Sequence, residues 1–166
     1  MATMDNLKAA FAGESQANRT YLAFAKKAEA EKMPQIAKLF RAAAEAETVH
    51  AHAHLRVMGG IKGTADNLQA AINGEGHEFK EMYPAFIAQA QAENNQPAVV
   101  TFGNAMAVEK VHHALYGEAL QSLQAGKDLP ARKAFVCTVC GNTVFDQAQD
   151  TCSVCGSPKD RFIEIK

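Results

Sequence analysis

The 166-residue sequence lacks the features that would direct it to nucleic acid or into a membrane. Its formal net charge is −1, aromatic residues make up 7%, and no basic run occurs, so it presents no electrostatic footprint for nucleic acid or an anionic lipid surface. No segment approaches the roughly 20 apolar residues of a membrane span, and residues 1–6 lack the basic start of a signal peptide. We therefore expect a cytoplasmic protein that acts on a small neutral substrate.

Cysteine is absent from the first 136 residues and then occurs four times in a short stretch. The four residues form two Cys-x-x-Cys pairs with eleven residues between them: Cys137, Cys140, Cys152 and Cys155. In a reducing compartment this arrangement predicts a tetrahedral metal site of four thiolates instead of two disulfides. A glycine follows each pair, and its positive φ would let backbone N–H groups approach the sulfurs. The spacing alone leaves zinc and iron open.

Most of the remaining sequence has a helical composition. Residues 3–125 are rich in Ala, Glu, Gln, Lys and Leu, with prolines suited to a first helical turn and glycines suited to a helix end. We predict helices over residues 4–31, 34–58, 66–94 and 97–125, the third interrupted by Gly74, Gly76 and Pro84. The composition changes after Pro130, which predicts a helical domain over residues 1–130 and a small domain over residues 131–166.

Acidic residues fall on helix faces that are otherwise apolar. Glu14 lies within the apolar stripe of the first helix, while Glu78 and Glu81 lie three apart on one face of the third. The second and fourth helices carry Glu-x-x-His pairs on their apolar faces: Glu47 with His50, and Glu109 with His112. These two helices repeat at an offset of 62 residues, beginning at Phe40 and Phe102, which indicates two related hairpins.

No Lys or Arg lies on these stripes to neutralise the charge of the acidic residues. Unpaired carboxylates are costly to bury, so we expect bound cations to supply the missing charge. Oxygen and imidazole donors together suit iron or manganese. A single Glu from each of two helices plus Glu-x-x-His from the other two is the ferritin-like di-iron pattern, with Glu14 and Glu78 as the single carboxylates and Glu81 in addition. The other histidines, including His54 and His113, are expected at the surface or behind the ligands.

Three segments make the sequence resemble the rubrerythrin family over essentially its whole length: residues 11–17, residues 76–84 and the two-knuckle tail. The resemblance implies a mainly α fold, with a ferritin-like four-helix bundle and a C-terminal rubredoxin-like domain. It also implies three iron ions per chain, one in the four-cysteine site and two in a carboxylate-bridged pair, with zinc or manganese as substitutes. The implied ligands of the pair are Glu14, Glu47, His50, Glu78, Glu81, Glu109 and His112, of which Glu47 and Glu109 bridge. The tail departs from the usual rubredoxin pattern at Asn142 and Ser153, and neither is a ligand.

The same resemblance implies a peroxidase that reduces hydrogen peroxide to water and protects against oxidative stress. No Gly-x-Gly-x-x-Gly signature for a nucleotide occurs, so electrons are expected from a separate NAD(P)H-linked reductase or a rubredoxin through the four-cysteine iron. Tyr21 matches a family tyrosine that hydrogen-bonds a ligand carboxylate, with an ordinary core tyrosine as the alternative. The family also implies a homodimer. Two other functions stay open: a ferritin-like ferroxidase that uses dioxygen, and a non-enzymatic scaffold with structural zinc.

Overall fold

Two long helices form the first hairpin of the computed structural model, which describes residues 2–166. α1 spans Thr3–Ala30 and α2 spans Pro34–Val57. Lys32, in the connection, has a φ of 61°, a left-handed conformation that follows the end of α1. Small buried side chains line this hairpin and allow its helices to approach closely: Ala25, Ala28, Ala37, Ala44 and Ala51.

The second hairpin follows the same order but has an interrupted first arm. Its elements are α3 over Thr64–His77, a π-turn over Glu78–Met82, α4 over Tyr83–Ala92 and α5 over Gln96–Gln124. The π-turn ends two residues before Pro84, which lies in the first turn of α4 and has no backbone N–H to donate. The N–H of Tyr83 instead bonds the carbonyl of Glu78, five residues earlier, as in a π-helix. The predicted interruption of the third helix therefore takes the form of one wider turn.

The repeat seen in the sequence extends to the ends of the helices. α1 ends at Ala30 and α4 at Ala92, while α2 begins at Pro34 and α5 at Gln96, so both boundaries are 62 residues apart. The left-handed residue of the first connection, Lys32, likewise has a counterpart in Asn94, with a φ of 57°. The two hairpins are thus built on one plan.

The C-terminal segment contains a three-stranded antiparallel sheet. β1 over Ala134–Cys137 lies between β2 over Thr143–Phe145 and β3 over Phe162–Ile165. Gly141 and Gly156 have φ values of 88° and 73°, which confirms the positive φ predicted after each cysteine pair. The sheet is small, so the cysteines, of which Cys137 and Cys152 are buried, contribute much of the packing of this segment.

Contacts divide the chain into two units, Met1–Lys62 and Gly63–Lys166, and each is described by itself. The predicted fold class, mainly helical with a small C-terminal domain, is confirmed, and the helix ends fall within two residues of their predicted positions. The contacts do not divide the chain near residue 130, so the predicted domain boundary there stays a prediction. No helix within residues 2–166 is long and apolar enough to cross a membrane.

Candidate metal centres

The first hairpin brings together two carboxylates and an imidazole. Glu14 of α1 and the Glu47-x-x-His50 pair of α2 offer ligand atoms that all lie within 4.8 Å of one another. The spacing of three places Glu47 and His50 on one face of the helix, with His50 Nδ1 2.8 Å from Glu47 Oε2. Asn18 fixes α1 against α2, because its amide donates to the Ala44 carbonyl at 2.6 Å and to Thr48 Oγ1 at 2.8 Å. The hairpin itself therefore positions all three donors.

The second hairpin holds a cluster of the same composition. Glu75 of α3 and the Glu109-x-x-His112 pair of α5 again place their ligand atoms within 4.8 Å of one another. His112 Nδ1 lies 2.9 Å from Glu109 Oε2 and 3.7 Å from Glu75 Oε2. All three side chains are largely buried, at 18–27% exposure. This cluster is more enclosed than the first, where the His50 side chain is 55% exposed.

The second cluster carries more negative charge than its surroundings neutralise. Burial raises the pKa of Glu75 to about 8, together with a hydrogen bond to Glu109 and the charges of Glu109 and Glu78. Burial and the Glu109 charge raise the pKa of Glu78, against the opposing effect of His77 and His112. In addition, Glu75 Oε2 is buried without a hydrogen-bond partner. A bound cation would satisfy this oxygen and reduce the repulsion, so the donors present fit a metal ion.

The structure places five predicted ligands in the two clusters, while the third helix differs from the prediction. The five are Glu14, Glu47, His50, Glu109 and His112. Glu75 completes the second cluster, and Glu78 lies near enough for its pKa to respond to Glu109 and His112. Glu81 joins neither cluster: its side chain is 73% exposed and accepts a hydrogen bond from His77 Nδ1 at 3.2 Å. The π-turn explains the difference, because its wider turn rotates residue 81 away from the face that Glu75 and Glu78 share.

The internal repeat contains a signal that would have identified Glu75. Tyr21 and Tyr83 are 62 residues apart, but Glu14 and Glu75 are only 61 apart. One extra residue must therefore lie between Glu75 and Tyr83, and that interval holds the π-turn. If the repeat offset of 62 residues is applied to Glu14, it gives Gly76 instead of Glu75. The correspondence between Glu14 and Glu75 is therefore easily missed.

Tyr21 packs in an aromatic cluster of the first hairpin. Its ring centroid lies 6.5 Å from that of Phe24 and 6.3 Å from that of Phe40. Tyr83 occupies the matching position of the second hairpin, where burial and the charges of Glu78, Glu109 and Glu75 raise its pKa. A hydrogen bond from Tyr21 to a ligand carboxylate stays a prediction.

The four cysteines converge in the C-terminal segment with the geometry of a thiolate site. The sulfurs of Cys137 and Cys155 lie 3.7 Å apart, and those of Cys140 and Cys152 lie 3.6 Å apart. Four sulfurs about 2.3 Å from a tetrahedral metal would be separated by roughly 3.8 Å, whereas a disulfide would bring two of them to about 2.05 Å. Burial opposes ionisation of Cys155, yet hydrogen bonds with the Ser157 hydroxyl and backbone lower its pKa to about 6. The arrangement is that of metal ligands.

Comparison with known proteins agrees with both kinds of cluster. The rubrerythrin family profile matches residues 5–120, and the profile of the rubrerythrin rubredoxin-like domain matches residues 135–163. The chain belongs to the rubrerythrin family. Rubrerythrin-2 of Clostridium acetobutylicum is 38% identical over 96% of this chain and 95% of its own length. Nigerythrin of Nitratidesulfovibrio vulgaris is 36% identical over 97% of this chain and 85% of its own length.

Solved structures of nigerythrin resemble the chain in three dimensions. In its partially reduced state, nigerythrin is 35% identical and matches 99% of this chain and 87% of its own with a TM-score of 0.59. Its fully reduced, all-ferrous state matches with the same coverage and TM-score. The predicted resemblance to the rubrerythrin family is thus confirmed, and this is a family of oxidoreductases. The donor clusters of the chain support iron binding.

In this rubrerythrin-family chain, Asn142 contacts the sulfur site directly. Its side chain is 2% exposed, and Nδ2 lies 3.7 Å from Cys152 Sγ, 3.4 Å from Ser153 Oγ and 3.4 Å from Gln149 Oε1. An N–H donor close to a metal-bound thiolate stabilises the more negative, reduced state of the site. Asn142 and Ser153, the two departures from the usual rubredoxin pattern, therefore contact each other beside Cys152.

Replacing Asn142 with Leu is expected to lower the reduction potential of the four-cysteine iron. Leucine fills a similar volume but donates no hydrogen bond, so the reduced site loses stabilisation and the potential falls by on the order of tens of millivolts. Spectroelectrochemistry of the iron-loaded protein measures the shift. Thr138→Val is the matched control, because the Thr138 hydroxyl bonds the Arg161 carbonyl and no sulfur. Equal potentials in the wild type and Asn142→Leu would contradict the assigned role of Asn142.

Proposed function

We propose that this chain is a non-haem diiron peroxidase that reduces hydrogen peroxide to water in defence against oxidative stress. The observation that carries the proposal is the presence, in one chain, of two clusters with identical donors and a separate four-thiolate site. Reduction of one peroxide molecule consumes a pair of electrons and a pair of protons. Paired carboxylate and imidazole sites suit the redox metals of that reaction, and a four-thiolate site suits single-electron delivery.

The ligands that we propose for iron are the residues of the two clusters together with Glu78. They are Glu14, Glu47, His50, Glu75, Glu78, Glu109 and His112, which adds Glu75 to the set predicted from sequence and removes Glu81. By the resemblance to the family, Glu47 and Glu109 are the carboxylates that would be shared by the iron pair, and the four cysteines would hold a third iron. Iron held by these residues would supply the electrons for reduction of the O–O bond.

The protein side chains prepare the sites for that chemistry. The carboxylates supply negative charge that favours the higher oxidation state of a bound metal, and the histidines present Nδ1 toward the same positions. The thiolate of Cys155 is favoured by its hydrogen bond with Ser157, 3.2 Å away, whereas burial raises the pKa of Cys140. We further propose that electrons come from a separate NAD(P)H-linked reductase or a rubredoxin, and that the protein acts as a homodimer.

A rapid-mixing experiment tests the proposed function. The iron-loaded protein is reduced without oxygen and mixed with stoichiometric hydrogen peroxide or with dioxygen, while the absorbance of the ferric four-cysteine iron is followed. We expect peroxide to restore the ferric absorbance far faster than dioxygen, because the reduced four-cysteine iron donates to the peroxide-oxidised centre. In Glu109→Ala, which keeps the cysteines but disrupts the second cluster, this fast phase should disappear.

The other outcomes identify the alternative functions. Faster oxidation by dioxygen than by peroxide would make the protein a ferroxidase-like oxidase instead. A colourless protein that retains zinc at the cysteines and reacts with neither oxidant would indicate a scaffold. Either result would reject the peroxidase.

A further inference from the structure

His112 uses both nitrogens of its ring. Nδ1 faces the carboxylates, 2.9 Å from Glu109 Oε2, and Nε2 lies 3.0 Å from the hydroxyl oxygen of Thr143. Thr143 begins β2 of the four-cysteine segment, whereas His112 lies on α5. Both belong to the unit formed by Gly63–Lys166. A side chain of the cysteine segment therefore contacts the ring of a proposed iron ligand.

The Thr143 hydroxyl can donate only one hydrogen bond, and this limits the direction of its bond to His112. Its Oγ1 also lies 3.2 Å from the carbonyl oxygen of Gly141. A carbonyl oxygen only accepts, so the single hydroxyl proton of Thr143 is donated to Gly141. In this arrangement the Thr143 oxygen accepts from His112, whose neutral ring then carries its proton on Nε2. In the other tautomer, Nδ1–H would donate to Glu109 and the Thr143 hydroxyl would donate to Nε2. A metal ion bound beside Glu109 and Glu75 requires the Nδ1 lone pair of His112, so metal binding selects the tautomer in which Thr143 accepts from Nε2–H.

The position of Thr143 is fixed by packing as well as by this bond. Thr143 pairs with Val136 in the sheet, so its backbone is held by β1. Gly141, two residues earlier, lies against α5: a Cβ at that position would be 3.7 Å from Val108 Cγ1. Val108 is 2% exposed and directly precedes Glu109. The cysteine segment thus packs against the turn of α5 that carries Glu109 and His112.

A cavity of about 330 Å³ beside this contact offers His112 few other partners. Its walls are mostly apolar, with Leu68, Leu115 and Phe145 near His112 and Thr143. If the Thr143 hydroxyl were removed, Nε2 would face this space and the ring would be freer to turn about its bond to the helix. Partners of this kind orient metal-bound histidines in proteins, and their loss typically weakens metal binding by about 10- to 100-fold.

We propose that Thr143 is a positioning residue that holds His112 in the Nε2–H tautomer and so directs its Nδ1 toward the metal. The proposal rests on the part of the proposed function that makes His112 a metal ligand and is independent of the peroxidase reaction. It gives the four-cysteine segment a second role, in which its fold prepares a ligand of the carboxylate centre. It also provides a bonded connection from His112 through Thr143 to Gly141, the neighbour of Cys140.

The test compares Thr143→Val, which keeps the shape but has no hydroxyl, with Thr143→Ser, which keeps the hydroxyl. Zinc affinity of the carboxylate centre is measured by chelator competition, and the tautomer of His112 is read from imidazole nitrogen chemical shifts in the zinc-loaded protein. We expect Thr143→Val to bind zinc about tenfold more weakly and to show mixed tautomers, and Thr143→Ser to restore both properties. Thr138→Val, in the same segment but bonded to Arg161, should match the wild type.

Three results would overturn the proposal. The first is a Thr143→Val protein with unchanged zinc affinity and an unchanged tautomer. The second is a Thr143→Ser protein that is as defective as Thr143→Val. The third needs no variant and is therefore independent of whether Thr143→Val folds: a zinc-loaded wild-type protein in which His112 carries its proton on Nδ1. None of these readouts depends on peroxide turnover, so a failure of the proposed reaction would be recognised separately.

Discussion

Replacing Glu75 with Ala is expected to abolish tight metal binding at the second cluster. Glu75 supplies one of three ligand positions that lie within 4.8 Å of one another, and its loss leaves Glu109 and His112 as the remaining donors of that cluster. Loss of an outer partner already weakens metal sites by about 10- to 100-fold, so loss of a ligand should exceed that range. Iron content after gel filtration, corrected for the four-cysteine iron by its absorbance, measures the effect.

Glu81→Ala is the informative control for this experiment. Glu81 lies only six residues from Glu75 and has the same side chain, but it is 73% exposed and bonds His77. We expect Glu81→Ala to retain the full iron content, and Glu78→Ala, which removes a carboxylate beside the cluster, to lose part of it. The opposite order, with Glu81→Ala depleted of iron and Glu75→Ala unaffected, would restore the ligand set predicted from sequence.

Replacing Cys155 with Ser is expected to remove the C-terminal metal and to unfold the segment that surrounds it. The strands of this segment are three or four residues long, and Ile163 and Ile165 are each 51% exposed, so little apolar surface is buried. Binding of a structural metal to four thiolates contributes on the order of 10 kcal/mol to folding, more than such a core supplies. The helices pack against one another through contacts that do not involve this segment, and they should remain folded.

Two observables separate these effects in the Cys155→Ser protein. The absorbance of the ferric four-cysteine iron should be lost, and limited proteolysis should cut after residue 130, while the helical circular dichroism is nearly unchanged. Thr138→Ser, between the first two cysteines, keeps the hydroxyl that bonds the Arg161 carbonyl and should behave as the wild type. A protease-resistant C-terminal segment in Cys155→Ser would show that the segment folds without its metal.

Local sequence features predicted the helices well because their ends depend on nearby residues. Pro34 begins α2 at its predicted residue, and the predicted ends of the remaining helices are displaced by only one or two residues. The shared face of each Glu-x-x-His pair could also be predicted, since a spacing of three places both side chains on one face of a regular helix. These predictions needed no knowledge of distant contacts.

The residues that sequence reasoning missed depend on non-local or irregular geometry. Glu75, Glu78 and Glu81 have equal spacings, so only the position of the π-turn determines which of them share a face. The bond between His112 and Thr143 joins residues 31 positions apart in different kinds of secondary structure, and no periodic pattern encodes it. The predicted boundary near Pro130 rests on the change in composition and stays a prediction.

A single carboxylate, Glu78, breaks the equivalence of two otherwise matching metal-binding motifs. Each hairpin contributes one Glu and one Glu-x-x-His pair, which is the donor set expected of a duplicated ancestor with two interchangeable metals. Glu78 adds a carboxylate to one copy only, because Ala17 stands three residues after Glu14 where Glu78 stands three residues after Glu75. Metals bound by the two copies would therefore differ in net ligand charge. Such a difference makes one metal easier to oxidise than the other and gives an electron a preferred place to reside.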